Sequence, residues 1–170
     1  MKTLASLAAA AAMMSASALS ADGVNVSVTG NIVASPCLFN SGSSAVNIDL
    51  GDIHAANMVT PGSTSAPVPF SLSFTQCPAG TRSVTATFTG TPDPAAGNDY
   101  YINSGTARSV AIAMIDATSG QLKGTGSSIS QSVSADRTAT MPMKAMVAST
   151  TGGATAGTIS AVVMLTLQYN

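Results

Sequence analysis

Apolar residues recur at every second position along this chain, most regularly in one segment near each end. The segment near the carboxyl terminus, called here the carboxy-terminal row, comprises Gly157, Ile159, Ala161, Val163, Leu165, Leu167 and Tyr169. The segment near the amino terminus, called the amino-terminal row, comprises Val24, Val26, Val28, Gly30 and Ile32. Because alternate side chains of a strand share one face, each row is predicted to lie on one face of a β-strand.

The region between the two rows shows the same period of two, interrupted by glycine, proline and asparagine. We predict strands over residues 22–33, 45–50, 68–75, 83–89, 110–116, 129–135, 139–148 and 158–169. Two prolines and a glycine predict a loop over residues 91–98. Short strands with frequent turn signals indicate one all-β domain, an immunoglobulin-like β-sandwich.

The final predicted strand is apolar on both faces, because Val162 and Met164 alternate with the carboxy-terminal row. Such a strand needs cover on both sides. The amino-terminal row offers matching side chains, and Gly30 within it marks a place of close approach. Burial of its four larger side chains would contribute about 6–12 kcal/mol as an upper bound. The pattern agrees equally with pairing inside one sandwich and with pairing between two molecules.

The first 21 residues have a different pattern from the rest. Lys2 is followed by an apolar stretch and then by small residues up to Ala21, which is typical of a secretory signal peptide. We expect cleavage after Ala21, although Ala18 and Ser20 are also small enough to precede the cut. A membrane anchor is the alternative, but the apolar stretch is shorter than the roughly 20 residues that span a bilayer.

The expected exported part carries few charges. Without Lys2, five of the six basic residues remain beside seven Asp and no Glu, so the net charge is −2. The sequence has no basic patch, which argues against a nucleic-acid partner. A weakly charged surface rich in Ser, Thr and Ala suits tight self-association.

Two cysteines, Cys37 and Cys77, are present. In an exported chain an even number of cysteines predicts a disulfide. The bond would close a loop of about 40 residues, which the chain-entropy model values at roughly 4 kcal/mol. A metal or redox pair is the alternative, and one histidine in the whole chain makes it weak.

No catalytic or metal site is predicted, and no cofactor is expected. His54 is the single histidine, and Asp49 and Asp52 lie near it, but no Gly-x-Ser-x-Gly motif supplies a nucleophile. Calcium requires a denser set of oxygen ligands than such pairs of aspartates provide. We therefore predict that His54 lies in an exposed turn and that the protein is not an enzyme.

Several motifs together carry a resemblance. Beside the amino-terminal row they are Ala34-Ser35-Pro36-Cys37, Asp49-Leu50-Gly51-Asp52, Cys77-Pro78-Ala79-Gly80-Thr81, Thr87-Phe88-Thr89-Gly90, Tyr100-Tyr101, Gly105-Thr106-Ala107 and Gly152-Gly153-Ala154-Thr155-Ala156-Gly157-Thr158-Ile159. The penultimate aromatic residue, Tyr169, and Gly157, fourteenth from the end, complete the pattern. The chain resembles the pilin subunits of chaperone–usher fimbriae, and most closely the minor tip-fibrillum subunits of type 1 fimbriae.

The resemblance implies an incomplete immunoglobulin-like sandwich, residues 34–170, that lacks its seventh strand and follows a donor extension, residues 22–33. In this family a periplasmic chaperone fills the open groove with its own strand. The extension of the next subunit replaces that strand at an outer-membrane usher. The amino-terminal row would then be the donor, and the carboxy-terminal row would form the acceptor groove and the chaperone-binding strand.

The implied partners are the chaperone, the usher and neighbouring pilin subunits, including a tip adhesin or a rod subunit. The implied location is a fimbrium on the bacterial surface, reached through the periplasm, where the organelle supports cell adhesion. Two alternatives remain open from the sequence. One is a major rod subunit, and the other is a self-contained secreted sandwich that binds a carbohydrate or a protein.

Overall fold

The computed structural model describes residues 26–32 and 36–170, and no helix in these ranges is long and apolar enough to cross a membrane. Residues 26–32 and residues 36–170 belong to two separate units, and the strands lie in the second. The strands are β1 (Leu38–Phe39), β2 (Ser63–Thr64), β3 (Val68–Thr75), β4 (Ser83–Thr89), β5 (Pro92–Asp93), β6 (Gly97–Ile102), β7 (Ala111–Asp116), β8 (Ser128–Ser132), β9 (Ala139–Ser149) and β10 (Met164–Tyr169). Short 3₁₀ turns cover Asn40–Gly42 and Ala55–Met58.

The strands form two antiparallel sheets. In the larger sheet the order is β1-β3-β9-β7-β6-β5, with β2 paired beside β9, and in the smaller sheet the order is β10-β4-β8. The inner faces of both sheets contribute to one apolar core. The predicted all-β sandwich of immunoglobulin type is confirmed.

The core follows from strict alternation in the central strands. In β4 the side chains of Val84, Ala86 and Phe88 are completely buried, while the threonines and the serine between them are partly exposed or exposed. Methionines from β9, including Met141 and Met143, fill the space between the sheets. The flexible thioether side chain packs well into irregular gaps, which explains a core that is rich in methionine and poor in aromatic residues.

The predicted loop over residues 91–98 is wrong, because these residues contribute to the hairpin formed by β5 and β6. The Asp93 carboxylate accepts hydrogen bonds from the N–H groups of Ala95 and Ala96 at 2.9 and 2.8 Å, and Gly97 takes a positive φ of 88°. Pro92 is tolerated because β5 is the edge strand of its sheet, where a missing N–H leaves no ladder partner unsatisfied.

Four predicted strands have alternating apolar residues and yet are not strands here, or only in part. Within the described residues, 45–50 and 26–32 have no ladder partner, β8 ends at Ser132 rather than at residue 135, and the final strand begins at Met164 rather than at residue 158. The strands over 68–75 and 83–89 are confirmed at both ends. The signal peptide and residues 33–35 lie outside the described residues.

The predicted disulfide between Cys37 and Cys77 is confirmed. Both residues are buried, and they flank the pairing of β1 with β3, in which Leu38 lies opposite Thr75. The cross-link therefore joins the residue before β1 to the segment that follows β3.

Replacing both cysteines, Cys37→Ala with Cys77→Ala, is expected to lower the free energy of unfolding by about 4 kcal/mol. The reason is that the unfolded chain regains the entropy of a loop that the bond had closed across 40 residues. Denaturant unfolding measures this loss. Reductant should lower the stability of the parent protein by a similar amount and leave the double variant unchanged. Equal stability of the two proteins would contradict the prediction.

Candidate functional site

One edge of the smaller sheet is open. β10 pairs with β4 along its whole length, from Met164 opposite Thr89 to Tyr169 opposite Val84. Within residues 36–170 no strand pairs with the other edge of β10. Such an edge presents free N–H and C=O groups, which are a template for another chain. The sandwich is therefore incomplete at β10.

The direction of the backbone groups in β10 follows from one antiparallel pair. Ser83 and Asn170 exchange two N–H···O hydrogen bonds, each 3.0 Å long. Because this direction alternates along a strand, residues 164, 166 and 168 also face β4. The odd-numbered residues between them direct their N–H and C=O groups to the open edge.

The same parity holds before β10 begins. The N–H of Ala107 donates to the Thr158 carbonyl at 3.1 Å, and the N–H of Ser104 donates to the Ser160 carbonyl at 2.8 Å. Even-numbered residues therefore bond inward here as well. By this alternation, the odd-numbered residues from Ile159 to Tyr169 direct their backbone groups to the open edge.

The side chains of the carboxy-terminal row lie against the core. From Ile159 to Tyr169 every member of the row is partly buried and packs on the buried cluster. The side chains between them point outward, and Val162 and Met164 are 78% and 69% exposed. The same residues thus offer free backbone groups at an edge and incompletely covered apolar side chains beside it.

A second alternating segment also borders the core. Val46, Ile48 and Leu50 are partly buried against the same core, and the residues between them are exposed. At one end, Phe74 contacts Phe39 and Tyr169, with ring centroids 5.3 and 6.5 Å apart respectively. The core is therefore bordered by two extended segments that do not pair with each other.

A cavity of about 170 Å³ lies at the start of the carboxy-terminal row. Its lining residues include Gly157 and Ile159 together with Ile53 and Met58. A larger cavity of about 300 Å³ is lined by apolar and polar residues, the polar ones including Asp93, Asn103 and Arg108, and none of its lining residues belongs to the row.

Two glycines allow residues 157–160 to approach the loop that follows β6. A Cβ built on Gly105 would overlap the carbonyl of Thr158, and a Cβ on Gly157 would overlap the backbone of Ala107. In the sequence, Gly105 is recognised only as a motif residue, whereas Gly157 is recognised as a member of the carboxy-terminal row. Their structural role depends on an approach between segments about fifty residues apart, which no local pattern indicates.

The amino-terminal row is exposed. Val26 and Val28 are 81% and 89% exposed, Ile32 is fully exposed, and a Cβ on Gly30 would meet no atom within 4 Å. Val24 lies outside the described residues. The free chain therefore carries apolar side chains at alternate positions with nothing covering them.

The opening carries no charged side chain on the carboxy-terminal row. Partial burial raises the pKa of the Tyr169 phenol above its ordinary value. His54 is exposed beside the second 3₁₀ turn. In the part of the chain that the structure describes, no three His, Cys, Asp or Glu side chains are grouped for metal binding.

Comparison with known proteins gives a consistent result. The sequence matches the family model described as fimbrial protein over residues 26–170. It is 35% identical over 164 residues to protein FimG of Escherichia coli strain K12, covering 96% of this chain and 95% of that protein. It is 36% identical over 157 residues to the uncharacterized fimbrial-like protein YdeR of the same strain, covering 92% and 90%. A chain in the structure of a chaperone–usher pilus shares the fold, with a TM-score of 0.66 and 21% identity, covering 91% of this chain and 100% of that one.

The substitution Gly105→Ala is expected to displace residues 157–160, because the new methyl group overlaps the Thr158 carbonyl. The amides of Ala107 and Ser160 should then exchange with solvent about tenfold faster or more. Hydrogen exchange followed by mass spectrometry or NMR measures this change, and the amides of β3 serve as the internal control. Unchanged exchange at Ala107 and Ser160 would contradict the role assigned to this glycine.

Proposed function

The chain belongs to the fimbrial protein family, and we propose from this that it is a minor tip subunit of a type 1-like fimbria that polymerises by donor-strand exchange. The amino-terminal row of one subunit pairs along the open edge of the carboxy-terminal row of its neighbour. The added strand completes the sandwich and covers its core.

One observation carries the proposal. The residues of the carboxy-terminal row from Ile159 to Tyr169 have their backbone groups at an open edge and their side chains against an incompletely covered core. A single extended segment satisfies both at once. Its main chain continues the sheet, and its alternate side chains fill the spaces between the row and residues 46–50. This is strand addition, in which backbone bonds supply affinity and side-chain sites supply specificity.

The amino-terminal row has the form that such a donor needs. Its apolar side chains alternate, and those of Val26, Val28 and Ile32 are exposed in the free chain. From residue 24 to residue 32 an extended segment spans about 26 Å, and the carboxy-terminal row spans about 40 Å at the same rise per residue. The donor is therefore long enough to cover most of the row.

The open edge also explains why a chaperone and an usher are expected as partners. A long apolar edge is an aggregation hazard for a subunit that waits to assemble. We propose that a periplasmic chaperone covers the carboxy-terminal row with a strand of its own, and that an outer-membrane usher is the place of exchange. As a fimbrial protein the chain is exported through the periplasm to surface pili.

The minor tip position rests on sequence. The quoted motifs resemble those of tip-fibrillum subunits, and the match to FimG extends over nearly the whole length of both chains. In that position the subunit contacts a tip adhesin or a rod subunit and supports cell adhesion indirectly.

Labelling the subunit in assembled fibres tests this position. Label that is found only at fibre ends supports a tip subunit, and label along the whole shaft indicates a rod subunit.

We expect Val28→Asp to remove the protein from fibres while leaving its soluble chaperone complex intact. A carboxylate at this position would have to be buried without a partner in the neighbour's groove. The matched control is Thr29→Asp, which adds the same charge to the opposite face of the same segment. The amounts of subunit in sheared fibres and in the periplasmic chaperone complex measure the two steps. Fibres containing Val28→Asp at the parental level would argue against the donor role.

The mature chain with Val28→Asp is a useful acceptor, because its own donor segment is defective. A synthetic peptide of residues 22–33 is expected to raise its melting temperature by about 15 °C or more, since several apolar side chains become buried at once. The same peptide with Val28→Asp is the control and should produce little change.

The absence of any shift with the parental peptide would contradict the groove. The sandwich would then be complete by itself, and the search would turn to carbohydrate or protein ligands. A shift of equal size with both peptides would show binding that does not use the alternating row.

A further inference from the structure

Asn103 links the first half of the carboxy-terminal row to the sandwich through an amide whose bonding capacity is fully used. Its Nδ2 donates to the carbonyl oxygens of Ala107 and Thr158 at 3.0 and 3.3 Å. Its Oδ1 accepts from the N–H groups of Gly105 and Ser160 at 3.0 and 2.8 Å. A side-chain amide offers two donor hydrogens and two acceptor lone pairs, so each has a partner here.

Two threonines add a reciprocal pair beside this amide. The N–H of Thr106 donates to Oγ1 of Thr158 at 3.0 Å, and the N–H of Thr158 donates to Oγ1 of Thr106 at 2.8 Å. The two hydroxyl oxygens lie 3.2 Å apart. We call Asn103, Thr106 and Thr158 together the clasp.

The clasp holds the part of the carboxy-terminal row that does not belong to a sheet. β10 is held to β4 by a regular ladder from Met164 to Tyr169, but residues 157–163 belong to no strand. Their hydrogen bonds go to the loop at residues 103–107, and side chains supply several of them. The cavity lined by Gly157 and Ile159 lies at this same end of the row.

We propose that Asn103 is a positioning residue for strand addition, which keeps the Gly157 end of the carboxy-terminal row formed before any donor arrives. This inference rests on the proposed function. An incoming segment binds faster to a groove that is already ordered, because the entropy of ordering has been lost in advance. Once the donor is bound, its own ladder holds residues 157–163 from the open edge. The clasp therefore affects association more than dissociation.

The test uses the mature acceptor that carries Val28→Asp and a fluorescent peptide of residues 22–33. Into this acceptor we introduce Asn103→Asp, which keeps the shape of the side chain and removes both donor hydrogens. The control is Asn98→Asp, which makes the same change at an exposed asparagine whose side chain forms no hydrogen bond within residues 36–170. Stopped-flow association and competition-chase dissociation supply the two rate constants.

Asn103→Asp is expected to slow association by about tenfold or more while the dissociation rate stays within about twofold of the parent. Asn98→Asp should leave both rates unchanged. Alanine substitutions along the peptide then localise the effect. Coupling with Asn103→Asp should be confined to peptide residues at one end, because the clasp orders one end of the row.

Parental rates for Asn103→Asp would overturn the positioning role and leave the proposed function intact. Equal changes in both rate constants would also overturn the positioning role, because Asn103 would then be a general support of the fold. Energetic coupling between Asn103→Asp and substitutions along the whole peptide would overturn it for the same reason. Thr106→Val removes the acceptor for the Thr158 N–H with little change in shape, and it should reproduce the slower association if Asn103→Asp does not fold. Loss of folding in both variants would count against the proposal. Failure of the parent acceptor to bind the peptide would instead remove the proposed function itself.

Discussion

The backbone of β10 is paired along one edge, and on the other edge both its N–H and C=O groups and the core beside it lack cover within residues 36–170. This constraint governs the rest of the molecule. The strands of the sandwich cover the core beneath β10 and on the side of β4. On the side of the open edge, cover has to come from another extended segment. The partly buried side chains from Ile159 to Tyr169 are the direct consequence.

The final segment is held in two different ways along its length. From Met164 onward the segment is held by a regular ladder of backbone hydrogen bonds to β4. Such a ladder uses main-chain groups and not particular side chains. Before Met164, polar side chains of the loop at residues 103–107 take the place of a neighbouring strand. Both arrangements bond to the even-numbered residues. From Ile159 to Tyr169 the odd-numbered residues direct their backbone groups to the open edge, so two different supports hold one continuous edge.

The chain carries two alternating apolar rows that are incompletely covered. One is the carboxy-terminal row, whose side chains lie against the core, and the other is the amino-terminal row, whose side chains are exposed. A surface with few charges imposes little repulsion when copies or relatives approach each other. Membership of the fimbrial protein family agrees with a subunit whose sandwich is built to be completed by another chain. The disulfide between Cys37 and Cys77 stabilises the domain before another chain completes the sandwich.

The sequence by itself determined which residues alternate, and therefore which side chains face the core in β3, in β4 and along the carboxy-terminal row. That information is local, because a period of two needs no knowledge of neighbours. It also gave the disulfide and the fold class. It did not give the limits of the strands at residues 45–50 and 158–163, since a strand exists only where a partner supplies a ladder. It placed a loop where an edge hairpin forms, because a proline on an edge strand leaves no bond unsatisfied. Only the tertiary structure brought Asn103, Gly105 and Thr106 against Thr158, because these contacts join segments more than fifty residues apart.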